Sequence, residues 1–313
     1  MTRESGPDTP GSSAPEEPGV GQPRRGTVTR FFLLPLLVVA AAVGIFLVFN
    51  YMTFERRGPR DYLQEVRGGT ANRRWQAAFE LSRSLGNLKP DERSELAAET
   101  LRVYETLSGK RPDDQLVRRY LVLVLGRLGD PSAVPALIQA AKADDPDTRL
   151  YAVWALGKIG GSAGFDTVLE SSQSEDPGAR KMAAYVLGAL GDPRAIPRLK
   201  VLADDRVADV RWNAAIALGA LGDRSGLPVL HSMLDRAALT RQAELSSDQA
   251  EAAMVNAMKA IVLLHDTDSI PALERLERED PNLRVRDAAR KALEALRPKA
   301  SMRLERRDPG LIG

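Results

Sequence analysis

Cysteine is absent from the 313-residue chain. Disulfides, thiol nucleophiles and thiolate metal sites are thereby excluded, while the redox compartment stays open. Histidine is almost absent: His231 and His265 stand 34 residues apart, and neither has a glutamate beside it. No histidine-rich metal site and no Ser-His-Asp arrangement is suggested by position, so catalytic, cofactor-binding and metal-ligating residues are all expected to be none. Aromatic residues make up only 5% of the chain. Neither sign of charge dominates: 44 Lys and Arg against 42 Asp and Glu leave a net charge of +2. A nearly balanced chain creates no global field for a polyanion, and nucleic acid is not expected as a partner. What remains abundant is alanine, leucine and arginine, a composition that favours helices.

Three zones follow one another. Residues 1–27 are rich in Pro, Gly, Ser and Glu without an apolar period, and are expected to be a disordered tail. Residues 28–54 contain the run FFLLPLLVVAAAVGIFLVFNYMTF, Phe31 to Phe54, which carries no charged side chain. Roughly 20 apolar residues cross a hydrocarbon core of about 30 Å, so residues 31–54 are expected to form a single-pass membrane anchor. A cleaved signal peptide is the competing reading, with Ala40-Ala41-Ala42 as the small residues, but the apolar run continues beyond them. With arginines on both sides, the positive-inside rule decides little. A large domain behind an N-terminal anchor places the rest of the chain outside the cytoplasm. Residues 298–313 are basic and expected to be a second disordered tail.

Between these lies a repeat. MAAYVLGALGD, Met182 to Asp192, returns 31 residues later as NAAIALGALGD, Asn213 to Asp223. The leucine of the LG pair recurs at Leu125, Leu156, Leu187 and Leu218, each 31 residues apart. Leu81, Ile261 and Leu293 take the same role, with insertions before Leu125 and Ile261. A period in this range signals a solenoid, whose units bury their apolar stripes only by stacking. Four residues before the leucine stands alanine in six copies and Leu121 in the seventh. Gly129, Gly160, Gly191 and Gly222 suit the left-handed position that ends a helix. Asp130-Pro131 and Asp192-Pro193 then read as an N-cap followed by proline at the first helical position. Val134, Phe165, Ile196, Leu227 and Ile270, each paired with a residue three further on, mark the next helix. The segment Arg236 to Ala253 holds an insertion of roughly 12 residues, read as a longer first helix or a protruding loop.

The segments DPDTRLYAVWALGKIG, DPGARKMAAYVLGALGD and VADVRWNAAIALGALGD resemble HEAT-type helical repeats, of the short kind also found in phycobilin lyase subunits. The resemblance implies an all-α fold: an α-solenoid of about seven HEAT-like hairpins over residues 55–297, preceded by the one transmembrane helix. It also implies a curved surface, with second helices lining the concave side, that binds other macromolecules. HEAT-like deoxyhypusine hydroxylases bind iron through repeated His-Glu dipeptides, of which this chain has none, and no functional motif of the lyases is matched.

Two sets of residues stand out on the second helices. Arg118, Arg149, Arg180 and Arg211 precede the repeat leucine by seven residues. With Asp145 before Arg149 and Asp176 before Arg180, they suit a structural ladder of Asp–Arg pairs; a basic stripe for an acidic partner is the alternative. Trp75, Tyr151, Trp154, Tyr185 and Trp212 lie opposite the Leu/Ala face and are candidate partner-binding residues, mixed with Arg119, Lys181 and Asn213. The alternative is that these rings fill seams between neighbouring helices. The expected function is a non-catalytic, membrane-anchored scaffold that binds other proteins at the membrane through its second-helix face. An accessory subunit or lyase-like module of a membrane enzyme, transport or assembly complex is the runner-up.

Overall fold

The computed structural model describes residues 34–53, 57–86, 88–107, 112–243 and 245–297. The two tails expected at 1–27 and 298–313 lie outside the described residues. The chain divides into two units, Met1–Arg56 and Arg57–Gly313. The first contains helix α1, Leu34–Thr53.

Among the described residues, no helix is long and apolar enough to cross a membrane. The single-pass membrane localisation expected from residues 31–54 is therefore corrected, and with it the placing of the repeats outside the cytoplasm.

The second unit is all helix and turn among its described residues. Seven hairpins follow one another there. They are α2 (Pro59–Gly68) with α3 (Ala71–Arg83), α4 (Pro90–Thr106) with α5 (Pro112–Leu128), and α6 (Val134–Ala140) with α7 (Pro146–Ile159). Next come α8 (Phe165–Ser171) with α9 (Pro177–Leu190), and α10 (Ile196–Leu202) with α11 (Ala208–Ala220). In the sixth, α12 (Leu227–Ser232) and the extra helix α13 (Arg236–Ala243) precede α14 (Ser247–Leu263); the seventh is α15 (Ile270–Glu279) with α16 (Leu283–Leu296). The second helices form one row, α3 against α5, then α7, α9, α11, α14 and α16. This is a repeat-built, solenoid-like stack.

The row is held by the residues that recur. Leu81, Leu125, Leu156, Leu187, Leu218, Ile261 and Leu293 are all at most 2% exposed. The alanines four residues before them, and Leu121, are at most 4% exposed, so one helix face is dry in every copy. Fully burying a leucine side chain stabilises by about 1.5–3 kcal/mol, and this column supplies one such residue per repeat. Gly129, Gly160, Gly191 and Gly222 have φ of 71°, 79°, 69° and 78°, positive values that glycine adopts freely, and they follow the ends of α5, α7, α9 and α11. Asp130, Asp192 and Asp223 then cap a short 3₁₀ turn, accepting from the amides of Ser132, Arg194 and Ser225. The first α-helix begins only after that turn, which leaves α6 and α10 just seven residues each and α12 six.

The two insertions take different forms. The one before Leu125 accompanies a first helix of 17 residues, α4. The one before Ile261 becomes α13, which packs on α11 and α14 rather than protruding.

Candidate functional site

The candidate surface is the row of second helices, and its geometry begins with a second glycine column. Gly126, Gly157, Gly188 and Gly219 directly follow the repeat leucines. A methyl group at these positions would lie 2.5, 2.7, 2.6 and 2.8 Å from Ala155, Val186, Ala217 and Ala260 respectively. Each of those partners directly precedes the repeat leucine or isoleucine of the next copy. Hydrogen in place of a side chain is what lets successive second helices touch backbone to side chain. The repeated LG pair carried this signal, and the sequence reading used only its leucine.

Where the column ends, the surface opens. The position after Ile261 is Val262, and between α14 and α16 lies a groove of about 580 Å³. Its walls are Val255, Met258, Val262 and Leu263 from α14 and Ala288, Ala292 and Ala295 from α16, with Lys259, Arg284, Asp287 and Lys291 among them. A second substitution accompanies the first. Two residues before the repeat leucine, where α7 has Trp154 and α9 has Tyr185, α14 has Lys259 and α16 has Lys291. At the α5–α7 crossing, a methyl on Gly126 would stand 3.0 Å from Trp154 Cζ3, so the indole covers that seam. At the last seam valine stands where the four seams before it have glycine, and lysine replaces the covering ring.

The expected partner-binding aromatics are placed differently from one another. Tyr185 is 51% exposed. Trp75, Tyr151 and Trp154 are half-buried against the core. Trp75 Nε1 donates to Asn72 Oδ1 at 2.9 Å, and Lys158 Nζ lies 5.9 Å from the Trp154 ring centroid. Trp212 is 5% exposed and packs in the core with Ala208 and Ala215. As a contact residue Trp212 is therefore corrected: its ring is spent inside the stack.

The four ladder arginines all donate to backbone carbonyls of the turn before their own helix. Arg149 reaches Ala143 and Asp144 at 2.9 and 2.8 Å; Arg180 reaches Ser174 and Glu175 at 3.0 and 2.8 Å. Arg211 reaches Asp205 and Arg206 at 2.8 and 3.2 Å. Arg118 reaches Leu107 at 2.7 Å, and the Tyr104 hydroxyl at the same distance. Among the described residues Asp145 and Asp176 make no hydrogen bond to Arg149 or Arg180; they accept from the amides of Thr148 and of Gly178 and Ala179, and Asp176 acts on Arg180 through its charge alone.

The carboxylates pair across repeats instead. Arg119 forks onto Asp145 at 3.0 and 2.8 Å, Arg180 onto Asp205 at 2.8 and 3.0 Å, and Arg236 onto Asp280 at 3.1 and 2.8 Å. Two parallel N–H···O bonds fix orientation as well as distance. The Arg180 hydrogen bond is the main influence that holds the Asp205 carboxyl below its ordinary range. For Asp145, burial pushes the pKa up, and the hydrogen bonds from Arg119 and Thr148 outweigh it. Among the described residues no group of three or more His, Asp or Glu side chains is placed to hold a metal ion. His231 Nε2 lies 2.8 Å from the buried Asp266, which also accepts from Arg224 and Ser269; this cluster joins two repeats.

HEAT repeats are found at residues 108–177 and 165–247. No curated protein matches the sequence. Among solved structures, the complex of CpcE and CpcF of phycocyanin lyase from Nostoc sp. PCC7120 is 20% identical, with a TM-score of 0.48 over 77% of this chain and 95% of that one. YibA of E. coli is 15% identical, with a TM-score of 0.48 over 75% and 82% of the two chains. Human deoxyhypusine hydroxylase in complex with glycerol is 16% identical, with a TM-score of 0.33 over 76% and 95%. At these identities and TM-scores, none of those proteins' chemistry transfers to this chain.

Proposed function

We propose that the chain is a non-catalytic scaffold that binds other proteins through its row of second helices. The observation that carries this reading is the apolar and aromatic surface left open on that row. Tyr185 is 51% exposed, Leu263 is 62% exposed, and the groove between α14 and α16 is lined mainly by aliphatic side chains. Large apolar side chains at a surface cost solvation unless a partner covers them, and rigid neighbours make them efficient anchors. The arginine forks hold the row in one geometry, so a partner binding several repeats meets a preorganised surface. The half-buried Trp75, Tyr151 and Trp154 extend the same face.

Photo-crosslinking in the source cells tests this directly. A photoreactive phenylalanine analogue is placed at Tyr185 or Leu263, and separately at Val201, which is 59% exposed on the first helix α10. The expected result is a discrete crosslinked protein from Tyr185 and Leu263 and none from Val201. Equal labelling from both faces, or none from either, rules the reading out.

A further inference from the structure

We infer that the groove between α14 and α16 receives an amphipathic helix with an acidic flank, supplied by a partner protein. This deepens the scaffold reading above and rests on it. The groove's length sets the size of the occupant. Its lining runs from Val255 to Leu263 on one wall and from Arg284 to Ala295 on the other. At about 1.5 Å per helical residue these walls extend roughly 12 and 16 Å. Apolar anchors at i, i+3 or i+4, and i+7 of a docked helix span roughly 10 Å, so two turns fill the groove.

Its chemistry sets the sign. Three cations, Lys259, Arg284 and Lys291, stand against one carboxylate, Asp287. That carboxylate is taken up within its own helix: Asp287 pairs with Lys291 at 2.7 Å and with Arg290. Lys259 approaches only Asn256 Oδ1, at 3.4 Å, and neither Lys259 nor Arg284 forms an ion pair with any described residue. Two uncommitted cations thus border an aliphatic trough. Acidic side chains on a docked helix would complete the charge pattern, whereas basic ones would meet like charge. The four seams before it have glycine where this one has Val262.

The test is a displayed library of helical peptides with leucine fixed at i, i+4 and i+7 and the flanking positions randomised among Glu, Lys and Ser. It is selected against the full-length chain. Enriched sequences should carry glutamate on one flank, and a synthetic acidic winner should bind at least tenfold more tightly than its Glu-to-Lys counterpart at low salt. Leu263→Glu should weaken the acidic peptide at least tenfold. Lys259→Glu with Arg284→Glu should reverse the preference between the two peptides. All three side chains are exposed, so circular dichroism and the melting temperature should stay unchanged. No enrichment, enrichment of lysine-flanked or uncharged sequences, or binding indifferent to these variants overturns the inference. Self-association of the full-length chain that Leu263→Glu abolishes also overturns it, because the occupant would then be a second copy. Crosslinks from Tyr185 that survive Leu263→Glu, together with a failed selection, would remove the groove's role and leave the scaffold reading standing. Loss of both removes both.

Discussion

At the scale of single residues, the same ion-pair chemistry has different weight according to burial. Arg180 and Asp205 are 8% and 11% exposed at the side chain, whereas Lys181 and Asp209 are 46% and 36% exposed. Removing one partner of a buried pair strands the other charge and costs about 3 kcal/mol or more. An exposed pair contributes about 1 kcal/mol at most. Asp205→Ala should therefore lower stability by about 3 kcal/mol near neutral pH, and Asp209→Ala by under about 1 kcal/mol. Urea titrations followed by helical circular dichroism measure both, and equal effects would contradict this ranking. The pH dependence has a definite sign. The Asp205 carboxyl is held below its ordinary value of 3.8, chiefly by the Arg180 hydrogen bond. A carboxylate with a depressed folded pKa stabilises the fold fully above its unfolded value, and that contribution is lost as pH falls through the folded one. The stability gap between the native sequence and Asp205→Ala should thus be widest above pH 3.8 and shrink below it.

At the scale of the helix, two glycine roles have opposite sensitivity. Gly188 faces Ala217, whose Cβ would stand 2.6 Å from an added methyl, while Gly68 at the end of α2 has nothing within 4 Å of that position. Alanine is favoured over glycine in a helix by about 1 kcal/mol, and overpacking costs about 1–3 kcal/mol. Gly68→Ala should therefore be neutral or stabilising, and Gly188→Ala destabilising by up to about 2 kcal/mol once the propensity gain is subtracted. Denaturation midpoints decide it, and a stabilising Gly188→Ala would show that the seam can yield. The hairpins themselves were legible because leucine, alanine and the left-handed glycines recur at a fixed interval, and periodicity survives without coordinates. The close-packed glycines were visible too, but Gly126 and Gly188 read as mere neighbours of leucine until the helix across from them was known. The groove at Val262 was not legible. Its origin is a contact between copies, and one chain read residue by residue does not show which positions face each other. The same limit explains Asp145, whose spacing from Arg149 matched a pairing within one copy, whereas its carboxylate pairs with Arg119 of the copy before.

At the scale of the whole repeat unit, helix α11 is where the interior changes partners. Val210, Ala214, Ala217 and Leu218 belong to the core that runs back towards α2, whereas Ala208, Trp212 and Ala215 belong to the core shared with α12–α16. A stack with nearest-neighbour coupling opens where an interface is weakened rather than everywhere at once. Trp212 is the largest side chain that α11 contributes to the second core. Truncating a buried tryptophan to alanine costs about 3–5 kcal/mol. In Trp212→Ala that loss should fall on one side of α11. Hydrogen exchange should quicken in α12–α16 while α3–α9 keep their protection, and the helical signal should fall by a fraction rather than collapse. Uniform acceleration along the chain would mean that the two cores behave as a single cooperative body. Unchanged exchange with lost crosslinking from Tyr185 would instead return Trp212 to the binding face, against its burial. A partner that spans several repeats would in turn slow exchange on both sides of α11, because it bridges the helix at which the two cores meet.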